Sequence, residues 1–283
     1  MLTDYHTHLR PDDLDATPAR YFTQANAARY RQAADERGIA ELGVSEHVYR
    51  FAQALDVWQH PFWREYAHDD LDAYCQFVRE QTDLRLGIEA DFVPGTEDRM
   101  ANLLGAHDFD YVIGSVHFIR EHSVDMDDYS VWDSPRNSPE EIWTRYFQTL
   151  GEAARSGLFD VLAHPDLVKI WGSAHPDRPL PEGDLGRYYE LAIDGIAESG
   201  IAIELSTSGL RKRAKELYPA RAFLEMCLEA DNPVALSSDA HRPEDIGADY
   251  AAALELLESM GVGELCVFER RARRLEPIGA LVS

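Results

Sequence analysis

Near the start of the chain, Thr3-Asp4-Tyr5-His6-Thr7-His8 sets two imidazoles two positions apart. In an extended segment, side chains at i and i+2 leave the same face, so His6 and His8 project together and could share a metal ion. Taken alone the pair could equally be two surface histidines. Its weight depends on whether other segments supply matching ligands. They do: Ser45-Glu46-His47, Ile88-Glu89-Ala90-Asp91, Gly114-Ser115-Val116-His117, Leu162-Ala163-His164-Pro165-Asp166 and Ser237-Ser238-Asp239-Ala240-His241 each end an apolar run in imidazole or carboxylate. The donors are nitrogen and oxygen without thiolate, which suits zinc, manganese or iron and not a structural zinc or iron–sulfur site. They outnumber what one tetrahedral ion needs, so at least two metals are expected. Close metals can share a hydroxide, lower its pKa and clamp an in-line displacement at phosphorus.

The elements that carry these tips alternate. Strand-like runs rich in Val, Ile and Leu cover 2–8, 42–47, 84–89, 111–117, 159–164, 201–206 and 234–239, with 265–268 a weaker eighth. Several are apolar throughout, as strands buried on both faces are. Helical spacing covers 17–37, 69–81, a segment opening at Ser138-Pro139-Glu140-Glu141, 184–198, 218–230 and 243–260. The opening at Ser138 combines a Ser cap, Pro in the first turn and acidic residues at the positive dipole end. Strand–helix alternation of this kind predicts parallel βα units. Connections into strands are short and several connections out of them are long (48–68, 118–137, 165–183, 207–217), which marks the C-terminal strand ends as the active face. The 48–68 loop holds Tyr49, Phe51, Trp58, Phe62, Trp63 and Tyr66, a cap over the barrel mouth or a wall against substrate. Only the sixth run lacks a ligand at its tip; Glu204 lies inside it. His60, His68, His107 and His122 read as solvated, and His175 is ambiguous.

Composition bounds the partners. The 283 residues carry a formal charge of −24, which repels nucleic acid and anionic membranes. No apolar run approaches the roughly 20 residues a bilayer requires, and the chain opens directly on a strand-like segment with no signal peptide. Cys75, Cys227 and Cys266 are scattered, so small thiols in a reducing cytoplasm are expected. Monomer or homodimer both remain open.

The stretches DYHTH, GVSEH, GIEADF, VIGSVHFI, DVLAHPDLVK, ELSTSGLRK followed by ELYP, and SSDAH resemble the polymerase-and-histidinol-phosphatase (PHP) superfamily over essentially the whole chain. The likeness is strongest to its monofunctional histidinol-phosphatase branch, for which ELSTSGLRK is the most specific stretch. The resemblance implies an α/β fold, a distorted TIM-like (β/α)7 barrel formed as one domain over 1–283, with two or three divalent ions (Zn, Mn or Fe) at the C-terminal strand ends. It implies that His6, His8, Glu89 and Asp239 hold a first metal. Glu89 bridges to a second on His117 and His164, and His47 and His241 hold a third with an acidic residue from the loop after His8. Some relatives place histidine six residues beyond the second histidine, where this chain has Leu14; Asp13 is taken instead, with Asp12 and Asp15 as competitors. For a small phosphorylated substrate, Arg211 is the first candidate and Lys169 and Lys212 the next, since arginine pairs phosphate bidentately. Glu89, Asp239, His241 and Arg211 form the expected catalytic set. The implied reaction is hydrolysis of L-histidinol phosphate to L-histidinol and phosphate, a step of histidine biosynthesis. The rival enzyme readings are a PHP phosphoesterase on another small phosphate or nucleotide, and a metal-dependent amidohydrolase.

Overall fold

The structure, a computed structural model, describes residues 1–134 and 137–279; Pro135 and Arg136 of the predicted 118–137 loop, and the end of the 1–283 span, lie outside them. Seven parallel strands form one sheet in sequential order: β1 (Leu2–Asp4), β2 (Ile39–Val44), β3 (Arg85–Asp91), β4 (Tyr111–Ser115), β5 (Val161–Leu162), β6 (Ala202–Ser206) and β7 (Val234–Ser237). The sheet closes just past the strand tips, where the His8 N–H donates to the Ala240 carbonyl at 2.7 Å and the Ala240 N–H to the His6 carbonyl at 3.3 Å. With helices packed outside, this is a distorted (β/α)7 barrel, the architecture that the family resemblance implies, built from the parallel βα units that the strand–helix rhythm predicts. Among the described residues, no helix is long and apolar enough to cross a membrane.

The helices of nine residues or more are α1 (Gln24–Glu36), α2 (Leu71–Gln81), α3 (Glu97–Gly105), α4 (Pro139–Arg155), α5 (Gly186–Ser199), α6 (Arg221–Glu229) and α7 (Tyr250–Ser259). At α4 the predicted start is realised as a full capping box between Ser138 and Glu141. Elsewhere local chemistry trims the expectation. The 17–37 segment breaks at Phe22–Thr23, where the Thr23 side chain caps α1. The last helix starts at Tyr250, because Gly247 and Asp249 take left-handed backbone with φ +60° and +61°. Helix α3 was not anticipated. Its nine residues bury only Met100 and Leu104, too weak an apolar stripe to stand out behind Pro94-Gly95.

The eighth strand candidate is not part of the barrel. β8 (Glu264–Glu269) pairs antiparallel with β9 (Ala272–Pro277), and this hairpin packs against the end of the barrel opposite the histidines. Its turn donates the Arg271 N–H to the Asp110 carbonyl at 2.8 Å, and the Phe268 N–H reaches the Tyr5 hydroxyl at 3.2 Å. Inside, Tyr5, Tyr111 and Phe268 fill the barrel, with ring centroids of Tyr5 and Tyr111 4.9 Å apart. Tyr111 occupies space left by two glycines: a Cβ on Gly43 or Gly87 would come within 2.2 Å of its ring or hydroxyl. Gly87→Ala should therefore force Tyr111 from its seat and destabilise the protein by about 1–3 kcal/mol. A urea midpoint equal to wild type would contradict this packing.

Candidate metal centre

Apart from Glu89, which lies inside β3, the ligand candidates stand two to four residues beyond the strands, where the chain is held by cross-strand bonds. The Ser45 N–H donates to the Thr7 carbonyl at 2.8 Å, and the Glu89 N–H to the Glu46 carbonyl at 3.1 Å. Buried carboxylates lock the tips further. Asp4 accepts from Ser238 and from the Gly247 N–H at 3.1 Å, and Glu46 accepts from the Leu9 N–H at 2.7 Å. Two tips take left-handed backbone at residues that are not glycine, His164 at φ +23° and Asp239 at φ +51°. Strain of this kind costs on the order of 1–3 kcal/mol and concentrates at functional sites.

Glu89, 1% exposed, sits at the centre. One of its oxygens lies 3.2 Å from His6 Nε2, 3.6 Å from His8 Nε2 and 2.5 Å from His47 Nδ1; the other lies 3.4 Å from His117 Nε2 and 3.2 Å from His164 Nε2. Asp239 Oδ1 stands 3.7 Å from His6, His8 and His241. The His8 ring is sandwiched between those of His47 and His241 at 4.3 and 4.2 Å. The chain thus brings His6, His8, His47, Glu89, His117, His164, Asp239 and His241 to one mouth.

The loop after His8 presents a different acid from the one chosen on sequence. Asp12, and not Asp13, places its carboxylate 3.5 Å from His47 Nε2 and 3.2 Å from His241 Nε2. Arg50, fully buried, holds it there by pairing with Asp12 and donating to the Pro11 carbonyl at 3.1 Å. Asp13 is exposed and uses its backbone carbonyl to receive the Ala16 N–H.

Two further carboxylates were named in the sequence but given no role there. Asp91 accepts from His117 Nδ1 at 2.7 Å, and Glu204 from His6 Nδ1 at 2.7 Å. Asp91 could have been found, since it stands two positions after Glu89 on the same strand and so shares its face. Glu204 is the one carboxylate within the otherwise uncharged β6.

The electrostatics follow. Burial opposes charge on His6, His8, His47, His117 and His241, but the carboxylates overturn it at several of them. Glu89 and Asp12 push His47 up to about 9, and Asp91 and Glu89 push His117 up to about 10. His6 is raised well above the usual imidazole range against its burial, by Glu204, Glu89 and Asp239. His8 goes the other way: burial, then its neighbours His241 and His47, hold it well below. Glu89 is held far below the usual carboxylate range despite its burial, by His47, His6, His117 and His164.

The donor set fits divalent metal ions. Ligand atoms of His8, His47 and His241, of His6, Glu89 and His164, and of His6, His8 and Asp239 lie within 4.8 Å of one another in each group. His6 Nε2 and both nitrogens of His8 are buried without a hydrogen-bond partner, which is costly unless a cation takes them up.

The phosphate candidates separate. Lys169 is buried in an ion pair with Asp166 at 2.8 Å and Glu216 at 3.2 Å, and donates to the Leu217 carbonyl. Arg211 is spent on Thr207, the Ser238 carbonyl and Asp249. Lys212 is exposed, its ammonium makes no ion pair or hydrogen bond among the described residues, and it acts with His6, His241 and His164 to hold Asp239 low against its burial.

A cavity of about 170 Å³ opens beside the cluster, lined by Asp12, His47 and His117 on one side and by Tyr49, Phe62, Tyr66, Phe118 and Asp125 on the other. The 48–68 loop thus serves as both cap and wall: Phe51 and Trp63 are core, whereas Tyr49, Phe62 and Tyr66 face the cavity. A larger cleft of about 680 Å³ lies at Trp58, His60, Glu121 and Tyr129, but none of the ligand candidates lines it; the smaller cavity is the one that adjoins the cluster. His60, expected in solvent, is 4% exposed and stacked on Trp58 at 4.4 Å.

Fold and site together define a parallel (β/α)7 barrel whose C-terminal mouth is a histidine–carboxylate cluster. The model of the PHP domain matches residues 22–208, and the chain belongs to the PHP domain family. A Deinococcus radiodurans protein named "Probable histidinol-phosphatase" is 33% identical over 98% of this chain and 99% of its own length. The histidinol-phosphatase of Bacillus subtilis is 29% identical over 80% of this chain and 91% of its own. Among solved structures, that of a histidinol phosphate phosphatase from Lactococcus lactis, complexed with zinc, L-histidinol and phosphate, superposes with a TM-score of 0.72. It covers 96% of this chain and 98% of the other at 18% identity, a likeness of fold.

Proposed function

We propose that this protein is a metal-dependent phosphomonoesterase that hydrolyses L-histidinol phosphate to L-histidinol and phosphate. The observation that carries the reading is Glu89, a fully buried carboxylate with five imidazole nitrogens within 3.6 Å and a second carboxylate, Asp239, against two of the same histidines. The names of the relatives, one of them matched over nearly its whole length, supply the substrate.

His6, His8, Glu89 and Asp239 would hold one metal, with Glu89 shared to a second on His117 and His164; His47, His241 and Asp12 would hold a third. Bound there, divalent ions supply Lewis acidity toward phosphoryl oxygens and lower the pKa of water to near neutrality. The protein's own part is positioning and charge. Asp91 and Glu204 orient two imidazoles through their Nδ1 atoms, which fixes the tautomer that leaves Nε2 facing the cluster. Lys212 offers an unpaired ammonium to a phosphate at the Asp239 edge. Tyr49, Phe62, Tyr66 and Phe118 offer ring faces and edges to an imidazole, and Asp125 a carboxylate to an ammonium.

Metal-replete protein assayed on L-histidinol phosphate and on p-nitrophenyl phosphate tests the proposal. We expect kcat/KM at least about 100-fold higher for histidinol phosphate, roughly 2.7 kcal/mol of selective transition-state binding. Equal values would defeat the substrate assignment while leaving the phosphomonoesterase reading in place.

A further inference from the structure

The sixth strand is the one that ends without a ligand, yet it carries a carboxylate as deeply buried as Glu89. Glu204, 1% exposed, receives three donors from three other segments. Its Oε1 accepts from His6 Nδ1 at 2.7 Å and from the Ser237 hydroxyl at 2.7 Å, and its Oε2 accepts from the His164 backbone N–H at 2.6 Å. These contacts tie the tip of β1, the tip of β5 and the end of β7 to the middle of β6.

Two of the three partners belong to one donor set. His6, Glu89 and His164 offer ligand atoms within 4.8 Å of one another. Glu204 grips the first of these histidines by its ring and the third by its main chain. At His6, a donated Nδ1–H leaves the Nε2 lone pair facing Glu89. At His164, the grip falls on the residue whose backbone takes the left-handed φ of +23°, a conformation that needs outside support. One carboxylate therefore sets the ring tautomer of one ligand and the backbone from which the other projects.

We propose that Glu204 is the positioning residue of the His6–Glu89–His164 donor set, and that β6 contributes to the metal centre by orienting ligands instead of supplying one. The inference rests on the metal-binding part of the reading above and not on the substrate. Partners of this kind typically govern metal affinity or activity by 10–100-fold.

The test compares wild type, Glu204→Gln and Ser237→Ala by competing zinc from the purified proteins with a chromophoric chelator and by recording the visible spectrum of the cobalt-loaded forms. Both variants loosen the tie between β6 and β7; only Glu204→Gln turns an amide toward His6 Nδ1. We expect Glu204→Gln to weaken zinc binding about 10–100-fold and to alter the cobalt spectrum, with kcat reduced and KM little changed. Ser237→Ala should stay within about threefold of wild type in affinity and keep the wild-type spectrum. Wild-type affinity and spectrum in Glu204→Gln would overturn the proposal, as would equal losses in the two variants, which would mark Glu204 as a structural tie only. If Glu204→Gln does not fold, Glu204→Asp, which keeps the charge and withdraws it by one methylene, must show the same weakening; unchanged affinity there overturns the proposal. Failure of the wild type to retain metal would overturn the metal reading and this inference with it, whereas inactivity on histidinol phosphate would leave the comparison intact.

Discussion

Glu89→Gln should lower turnover by about 1,000-fold or more and remove at least one equivalent of bound metal, while the barrel stays folded. A 1,000-fold loss corresponds to about 4 kcal/mol of transition-state stabilisation. The expectation follows from what the amide cannot do. Both Glu89 oxygens face imidazole nitrogens, His6, His8 and His47 on one and His117 and His164 on the other. Glutamine keeps the shape but replaces one oxygen with an NH2 group that binds no cation, and it removes the negative charge shared by the cluster. The fold should survive because, among the described residues, no backbone group of the barrel depends on this carboxylate, and because the imidazoles facing a neutral amide can themselves go neutral. Metal analysis, far-UV circular dichroism and the phosphatase assay check the three parts together. Near-normal activity would contradict the bridging role assigned to Glu89.

How much of this was legible before the structure depended on where each group sits along its strand. The ring of histidines and carboxylates was readable because parallel strands buried on both faces are apolar throughout, so a histidine or aspartate that ends such a run stands out. His117 and Asp239 are of that kind, and so is the pair that opens the chain: the rings of His6 and His8 lie 5.2 Å apart. The role of a carboxylate deep inside a strand was harder to see. Glu204 faces the cluster from within β6, and nothing in an isolated Ala-Ile-Glu-Leu-Ser tells whether its carboxylate meets solvent or a histidine from β1, 198 positions away. The contacts of the candidate cations were hidden for a related reason. Arginine suits phosphate as an isolated side chain, but Arg211 is already held by Thr207, the Ser238 carbonyl and Asp249, whereas the neighbouring Lys212 is not committed. The β8–β9 hairpin was missed because a short apolar run looks the same whether it joins a barrel or plugs one.

The acidic loop gives the sharpest case, because two adjacent aspartates compete for one role. Asp12→Asn should reduce turnover by about 100-fold and weaken metal retention, whereas Asp13→Asn should leave both within about twofold of wild type. A metal ligand should cost at least as much as the 10–100-fold typical of the residues that merely orient one. Spacing from His8 cannot separate the two, since a loop has no fixed period. Tertiary partners do. Arg50, buried beneath the loop, takes Asp12 and the Pro11 carbonyl together, and this turns the Asp12 carboxylate between His47 and His241 at 3.5 and 3.2 Å. Arg50 is itself set by a buried charge pattern, lying among Glu46, Arg10 and Asp12, with Arg10 paired to Asp69 at 2.7 Å. Asp12 remains 57% exposed on its outer side and so stays open to solvent while its inner side faces the two imidazoles. His241 and His47 hold its carboxyl well below the usual range against burial, so it stays an anion through the whole physiological range. The asparagine variant loses that anion, and with it the charge match for a third cation between His47 and His241. Metal stoichiometry is therefore the decisive measurement: a full complement in Asp12→Asn, or a loss in Asp13→Asn, would reverse the assignment.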